Sequence, residues 1–180
     1  FIDCDGKMTK KIIEIFEKYK LNSKLEIKNY SEKFVTGIIS HTKFDEIKKI
    51  ENTNAQTIWF RSGPCFVDPR SNKLGVRILS SLDKLYLTIK KLSLEIHKED
   101  IYFDAAFKQG IPIVGINKLQ DKLFGLEANF ENYSAIDFKK GCYIGQENTS
   151  RIKLRKKLRR RILPIQKIEG EIFENDIVKY

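Results

Sequence analysis

The chain has 180 residues, 41% of them apolar and 32% charged, with a formal net charge of +10. This is an ordinary balance for a soluble globular protein of one or two domains with a real hydrophobic core. The longest apolar runs, such as Ile58-Trp59-Phe60 and Ile111-Pro112-Ile113-Val114, are far too short to cross a bilayer, and no secretory leader is visible.

Phe1-Ile2-Asp3-Cys4 reads like the end of a strand. From Lys7 to Tyr19, Met8, Ile12, Ile15, Phe16 and Tyr19 fall on one face, which predicts an amphipathic helix. Leu25 and Ile27 alternate with charges as in a half-buried strand, and Phe34 to Ser40 is a second strand candidate. Thr42 looks like an N-cap for a short helix over Lys43–Ile50. Thr57–Phe60 is the next strand, closed by Gly63-Pro64. The order β-α-β-β-α-β is that of a split βαβ, or ferredoxin-like, unit: an α+β fold with an antiparallel sheet and helices. Beyond the Asp68-Pro69-Arg70 turn, Leu74–Leu79 reads as a strand. Leu82, Leu85, Ile89, Leu92 and Ile96 then mark a helical stripe. A helix near Glu99–Gln109 ends at Gly110, with Pro112 beyond. The expected divisions are residues 1–62 for the ferredoxin-like part, 63–150 for a second part, and 151–180 for a basic exit that begins a β-rich domain. Ile177-Val178-Lys179-Tyr180 reads like a strand without a partner, so the chain is expected to be the interior of a longer protein.

Three cysteines, Cys4, Cys65 and Cys142, are dispersed and odd in number. They form neither a disulfide framework nor C-x-x-C zinc pairs, and suit reduced thiols in a cytosolic or matrix compartment. His41 and His97 have no ligand-spaced partners, and no metal site is expected. Trp59 continues an apolar strand and is expected in the core rather than stacked on a cofactor. Between Arg151 and Arg161, eight Lys and Arg residues account for all but +2 of the net charge. Ile152, Leu154, Leu158 and Ile162 are interleaved with them, so the stripe suits either a solvated exit or an anionic partner, such as an acidic protein surface or RNA.

In Lys140-Gly141-Cys142-Tyr143-Ile144-Gly145-Gln146-Glu147, two glycines frame a cysteine beside Lys139 and Lys140. Neighbouring cations favour a thiolate, while a small buried cysteine in a turn is the commoner outcome on composition alone. Phe138 to Glu147, with Arg151 four residues on, resembles the signature of the YgfZ family almost letter for letter. Asp68-Pro69-Arg70 with Leu74-Gly75-x-Arg77, Gly110-Ile111-Pro112, Glu127-Ala128-Asn129 and Arg159-Arg160-Arg161 are similar to that family's flanking segments, so the resemblance covers most of the chain from Phe60 to Ile162. Two positions depart from it: Ala106 stands where an Arg is frequent, and Lys156 where a Gly is frequent.

The resemblance implies a fold like the T-protein of glycine cleavage, with a C-terminal β-barrel and tetrahydrofolate or a derivative as cofactor. It implies a role in assembling or maintaining iron–sulfur enzymes, including radical-SAM enzymes that modify tRNA, with client or assembly proteins as partners. Cys142 takes the place of the essential thiol. Lys140, Gly141, Tyr143, Gly145, Gln146, Glu147 and Arg151, together with Glu127 and Asn129, are expected around the cofactor. The alternatives are a folate-dependent aminomethyltransferase or methyltransferase, and an RNA-binding module using residues 151–161. The implied location is bacterial cytoplasm or mitochondrial matrix.

Overall fold

The computed structural model describes residues 1–155, 158 and 160–177. Lys156, Lys157 and Arg159 of the basic stripe, and Val178–Tyr180 of the expected last strand, lie outside the described residues. Two compact units emerge, one of residues 1–68 with 75–97, the other of residues 69–74 with 98–180.

The first unit is α+β. Helix α1 (Thr9–Tyr19) precedes strand β1 (Val35–Ile39), helix α2 (His41–Ile50), strands β2 (Thr57–Phe60), β3 (Gly63–Val67) and β4 (Val76–Ser80), and helix α3 (Leu82–Lys91). The four strands form one antiparallel sheet in the order β1-β4-β3-β2. Register places Ile58 beside Cys65, Cys65 beside Ile78 and Ile78 beside Gly37, so one face of the pleat is continuous across the sheet. Onto that face α2 lays Phe44 and Ile47, both fully buried, against Phe60, Val76 and Leu92. Truncating Phe44 would remove about 3–5 kcal/mol from such a core.

Four local readings change. Ser40, not Thr42, caps α2, its side chain accepting from Lys43 N at 3.3 Å. Gly63-Pro64 does not end the strand run but opens β3. The reversal is made by Arg61 and Ser62, both with positive φ (51° and 67°), the geometry that matches strand twist in a two-residue hairpin. A Cβ on Gly63 would lie 1.8 Å from the Leu79 carbonyl oxygen, so the backbone of β4 requires glycine there. Phe1–Cys4 and Leu25–Ile27 are not strands. Leu25 and Ile27 instead border an open cavity of about 900 Å³ with Ile12, Ile13 and Phe16 of α1. Trp59 is not in the core as expected: β2 alternates, burying Ile58 and Phe60 and leaving Trp59 60% exposed on the opposite face, edge-on to Phe1.

The paired Asp68 and Arg77 meet. Asp68 is buried, and its carboxylate accepts from Arg77 Nε at 3.0 Å, while Arg77 also pairs with Asp3. Asp68 N donates to Gly75 O at 3.0 Å, closing the intervening turn.

In the second unit, helix α4 (Asp100–Lys108) stops at Gly110 (φ +70°), as its sequence predicts. Ala106 and Ile111 pack there with Leu74. Helix α5 (Gln146–Arg155) follows a long segment with one 3₁₀ turn at Ile116–Leu119. From residue 160 onward no strand occurs among the described residues. No helix among them is long and apolar enough to cross a membrane.

Burial pushes the Cys65 thiol up from 9.0 to about 12. The folded state therefore keeps the proton that the unfolded chain releases above pH 9, and stability falls as pH rises from 9 toward 12. Denaturant titrations of wild type and Cys65→Val at stepped pH should show wild type losing stability relative to the variant, by up to about 1.4 kcal/mol per pH unit. A pH-independent difference would refute the assignment.

Candidate functional site

Between Lys122 and Ser134 the chain turns repeatedly instead of forming long helices or strands. Two of its polar side chains are buried: Glu127 and Asn129, each 6% exposed. The Glu127 carboxylate accepts from Phe124 N at 3.0 Å and meets the Arg160 guanidinium at 3.4 Å. Arg160 also donates to Lys122 O at 3.1 Å. Asn129 sits at φ +60°, a left-handed conformation that asparagine tolerates better than most residues, and its Nδ2 donates to Ile162 O at 2.6 Å. Ile162 N donates back to Glu127 O at 3.0 Å. Residues 127 and 129 thus hold the segment 160–162 from both its backbone and its charge.

That clamp builds one wall of a polar pocket of about 290 Å³. Arg161 and Pro164 lie on the held segment; Arg70, Gln109, Asn129 and Tyr133 complete the lining. Tyr133 donates its hydroxyl hydrogen to Gly110 O. Arg70 contacts the Tyr102 hydroxyl. Asn129 Oδ1 is buried and has no hydrogen-bond partner among the described residues.

The signature residues form a separate site. Gly145 has φ +86°, a backbone geometry that explains the glycine, whereas a Cβ on Gly141 would meet nothing within 4 Å. Gln146 Oε1 accepts from Tyr143 N at 3.1 Å, and Thr149 Oγ1 donates to Gly145 O at 3.1 Å, so the loop is tied to the first turn of α5. Lys140 Nζ lies 4.6 Å from the centre of the Tyr143 ring. Glu147 pairs with Arg151 one turn on. Cys142 is exposed and opens, with Tyr143, Arg151, Leu154 and Arg155, onto a groove of about 650 Å³.

Of the expected residues, the structure brings Cys142, Tyr143, Gln146, Glu147 and Arg151 to this groove, with Lys140 stacked beside Tyr143. Glu127 and Asn129 belong to the other cluster. Sequence reading missed Arg70, Gln109 and Tyr133 as pocket residues. Arg70 was visible only as part of a turn motif, and Tyr133 carried no signal, because what places it is a contact with Gly110.

No family model matches the chain. Among curated proteins it is similar to the iron–sulfur cluster assembly factor IBA57 homolog, mitochondrial, of Dictyostelium discoideum, 32% identical over 168 residues that cover 91% of this chain and 40% of that protein. The Pyricularia oryzae homolog is 30% identical over 91% of this chain and 39% of its own length. Mouse IBA57 is 25% identical over 95% of this chain and 46% of its own length. These matches support the resemblance to the YgfZ family. It spans about 40% of the length of these first relatives.

Two features of the chemistry bear on this resemblance. Among the described residues there is no group of three or more His, Cys, Asp and Glu able to hold a metal ion. The basic stripe is also partly neutralised in place. Arg151 meets Glu147, Lys153 meets Glu131, and Arg160 meets Glu127.

A thiol reagent should label two cysteines of the native chain quickly, Cys4 and Cys142, and reach buried Cys65 only after denaturation. A native count of one or three would contradict this arrangement. Asn129→Ala leaves Ile162 O unpaired and should cost about 1–3 kcal/mol. Limited trypsin digestion should then cut after Arg160 and Arg161 faster than in wild type, and equal cleavage rates would show that the clamp does not hold the segment.

Proposed function

We propose that this chain carries the folate-binding and thiol-bearing part of an iron–sulfur cluster assembly factor acting in the mitochondrial matrix, with radical-SAM tRNA-modifying enzymes among its clients. The observation that carries the reading is Cys142, a signature thiol held at the surface on a capped loop beside a groove. The relatives named above, described as mitochondrial assembly factors, support the cellular role and the compartment.

The polar pocket supports the cofactor. At about 290 Å³ it lies at the lower end of small-molecule sites. It suits the bicyclic pterin head of tetrahydrofolate rather than the whole molecule. Arg70 and Arg161 line it and offer donors and positive charge for the pterin carbonyl or the acidic tail, with Asn129 beside them. Bound folate would supply one-carbon chemistry. The chain's own residues bind and orient it, with Glu127 holding Arg160 so that Arg161 stays on the pocket wall.

A cluster is cargo in this reading. Iron–sulfur clusters usually take about four protein ligands, so Cys142 can share one only with ligands from another molecule. A T-protein-like arrangement with a C-terminal β-barrel, which the resemblance implies, would complete the cofactor channel.

Calorimetric titration with tetrahydrofolate should show saturable binding, weakened about tenfold or more by Arg161→Ala, the scale of one charge-assisted hydrogen bond. Cys142→Ala should fold, keep that affinity, and fail to restore iron–sulfur enzyme activity in cells lacking the endogenous factor. Absence of binding heat at millimolar ligand would remove the cofactor from the proposal; full rescue by Cys142→Ala would remove the thiol.

A further inference from the structure

Helix α5 is unusual in what it does not bury. It is ten residues long and no residue on it is buried. Helices of that length are marginal in water unless an apolar face packs against something. Its sequence has low helical drive beyond the Gln146 cap and the Glu147–Arg151 pair, yet it presents two adjacent rows to the groove. Gln146, Ser150 and Leu154 make one row at steps of four; Glu147, Arg151 and Arg155 make the other. Leu154 is 81% exposed, and Ile144, just before the helix, is 79% exposed.

We propose that this groove docks an acidic, amphipathic polypeptide segment of a partner protein, its apolar side chains covering Leu154 and Ile144 and its carboxylates meeting Arg151 and Arg155. The idea rests on the reading that the chain serves other proteins, but not on the polar folate pocket.

Charge selects the partner. Residues 139–161 contain ten Lys and Arg and a single acid, Glu147. This is the most cationic segment of the chain, and its Arg151 and Arg155 line the groove. Complementary charge raises the encounter rate and sets orientation, while the apolar contact supplies residence time. A polypeptide fits better than a nucleic acid for two reasons seen in the geometry. Glu147 stands within the cationic row and is already paired with Arg151, so a continuous phosphate track would meet a carboxylate, whereas a peptide carboxylate exchanges with Glu147 one pair at a time. The groove's lining contains a single ring, Tyr143, half-buried with Lys140 against it, which is too little for a run of stacked bases.

The test uses the full chain and four fluorescent probes: a synthetic peptide with Glu and Leu at helical amphipathic spacing, its scrambled form, its Lys-for-Glu counterpart, and a single-stranded RNA. Anisotropy is read at about 50 and about 300 mM salt. The acidic amphipathic peptide should bind best and weaken with salt. Leu154→Ala and Arg155→Glu should each lower its affinity about fivefold or more, with unchanged thermal midpoints because both side chains are exposed. Three outcomes overturn the proposal: no preference for the acidic peptide over its scrambled form, affinity indifferent to both substitutions, or RNA bound as tightly as the peptide without dependence on Leu154. Tetrahydrofolate titration of the same variants separates the two sites. Loss of peptide binding with folate affinity intact is the expected result. A chain that binds the peptide but never folate sinks the cofactor reading alone.

Discussion

The second unit depends on a buried carboxylate that is not left alone. Glu127 is 8% exposed at its side chain, a position where an unpaired negative charge would carry a desolvation penalty of several kcal/mol. Two partners offset it: the Phe124 amide, fixed by the local turn, and the Arg160 guanidinium, which arrives from 33 residues away in sequence. Arg160 is 61% exposed, so water screens the pair and its Coulomb term is modest. What the pair determines is register. With Arg160 on Glu127, Ile162 falls opposite both the Glu127 carbonyl and the Asn129 amide, and Arg161 is left facing the pocket. A one-residue slip would exchange Arg160 and Arg161 and dismantle the wall.

The clamp shows what Glu127 and Asn129 do within the chain: they hold the segment 160–162 against the loop. Glu127 and Asn129 were singled out by resemblance because polar residues in a loop invite a ligand reading. Burial and partners are three-dimensional quantities, and nothing in Glu127-Ala128-Asn129 says that the acid's cation lies beyond the signature. The helices were easier to read. Periodicity of three and four placed α1 and the start of α3, although the stripe runs on to Ile96 and α3 ends at Lys91; the Gly110 stop placed the end of α4. The hairpin at Arg61-Ser62 was not legible, since neither residue is a common choice for positive φ; the Gly63-Pro64 pair drew the reading one step too far. Leu25 and Ile27 alternate as a strand does, but alternation describes one strand, and a sheet needs a neighbour to hydrogen-bond with.

The electrostatics follow a similar division. Composition shows a +10 chain with its excess in one stripe, which invites a phosphate-binding interpretation. The folded arrangement pairs Arg151, Lys153 and Arg160 each with an acid drawn from a different place: the same helix, the loop at Glu131, and the buried Glu127. Lys153 additionally lies 5.5 Å from the Phe138 ring centre. Lys153 and Arg160 tie α5 and the exit segment to the preceding loop, while Arg151 pairs within its own helix.

Cys142 and Cys65 show what the surroundings of a thiol decide. Cys65 lies in the sheet core, where burial suppresses ionisation, so it can act neither as nucleophile nor as metal ligand without unfolding. Cys142 lies on a loop whose shape is set by a positive-φ glycine and by the Gln146 cap, with its sulfur open to solvent. A surface thiol on a pinned loop has little to lose when a partner arrives, since no packing must be broken to reach it. A cluster or a covalent bond formed there would therefore be governed by what the partner brings. That is a reason for the groove beside the sulfur to be cationic and partly apolar rather than closed.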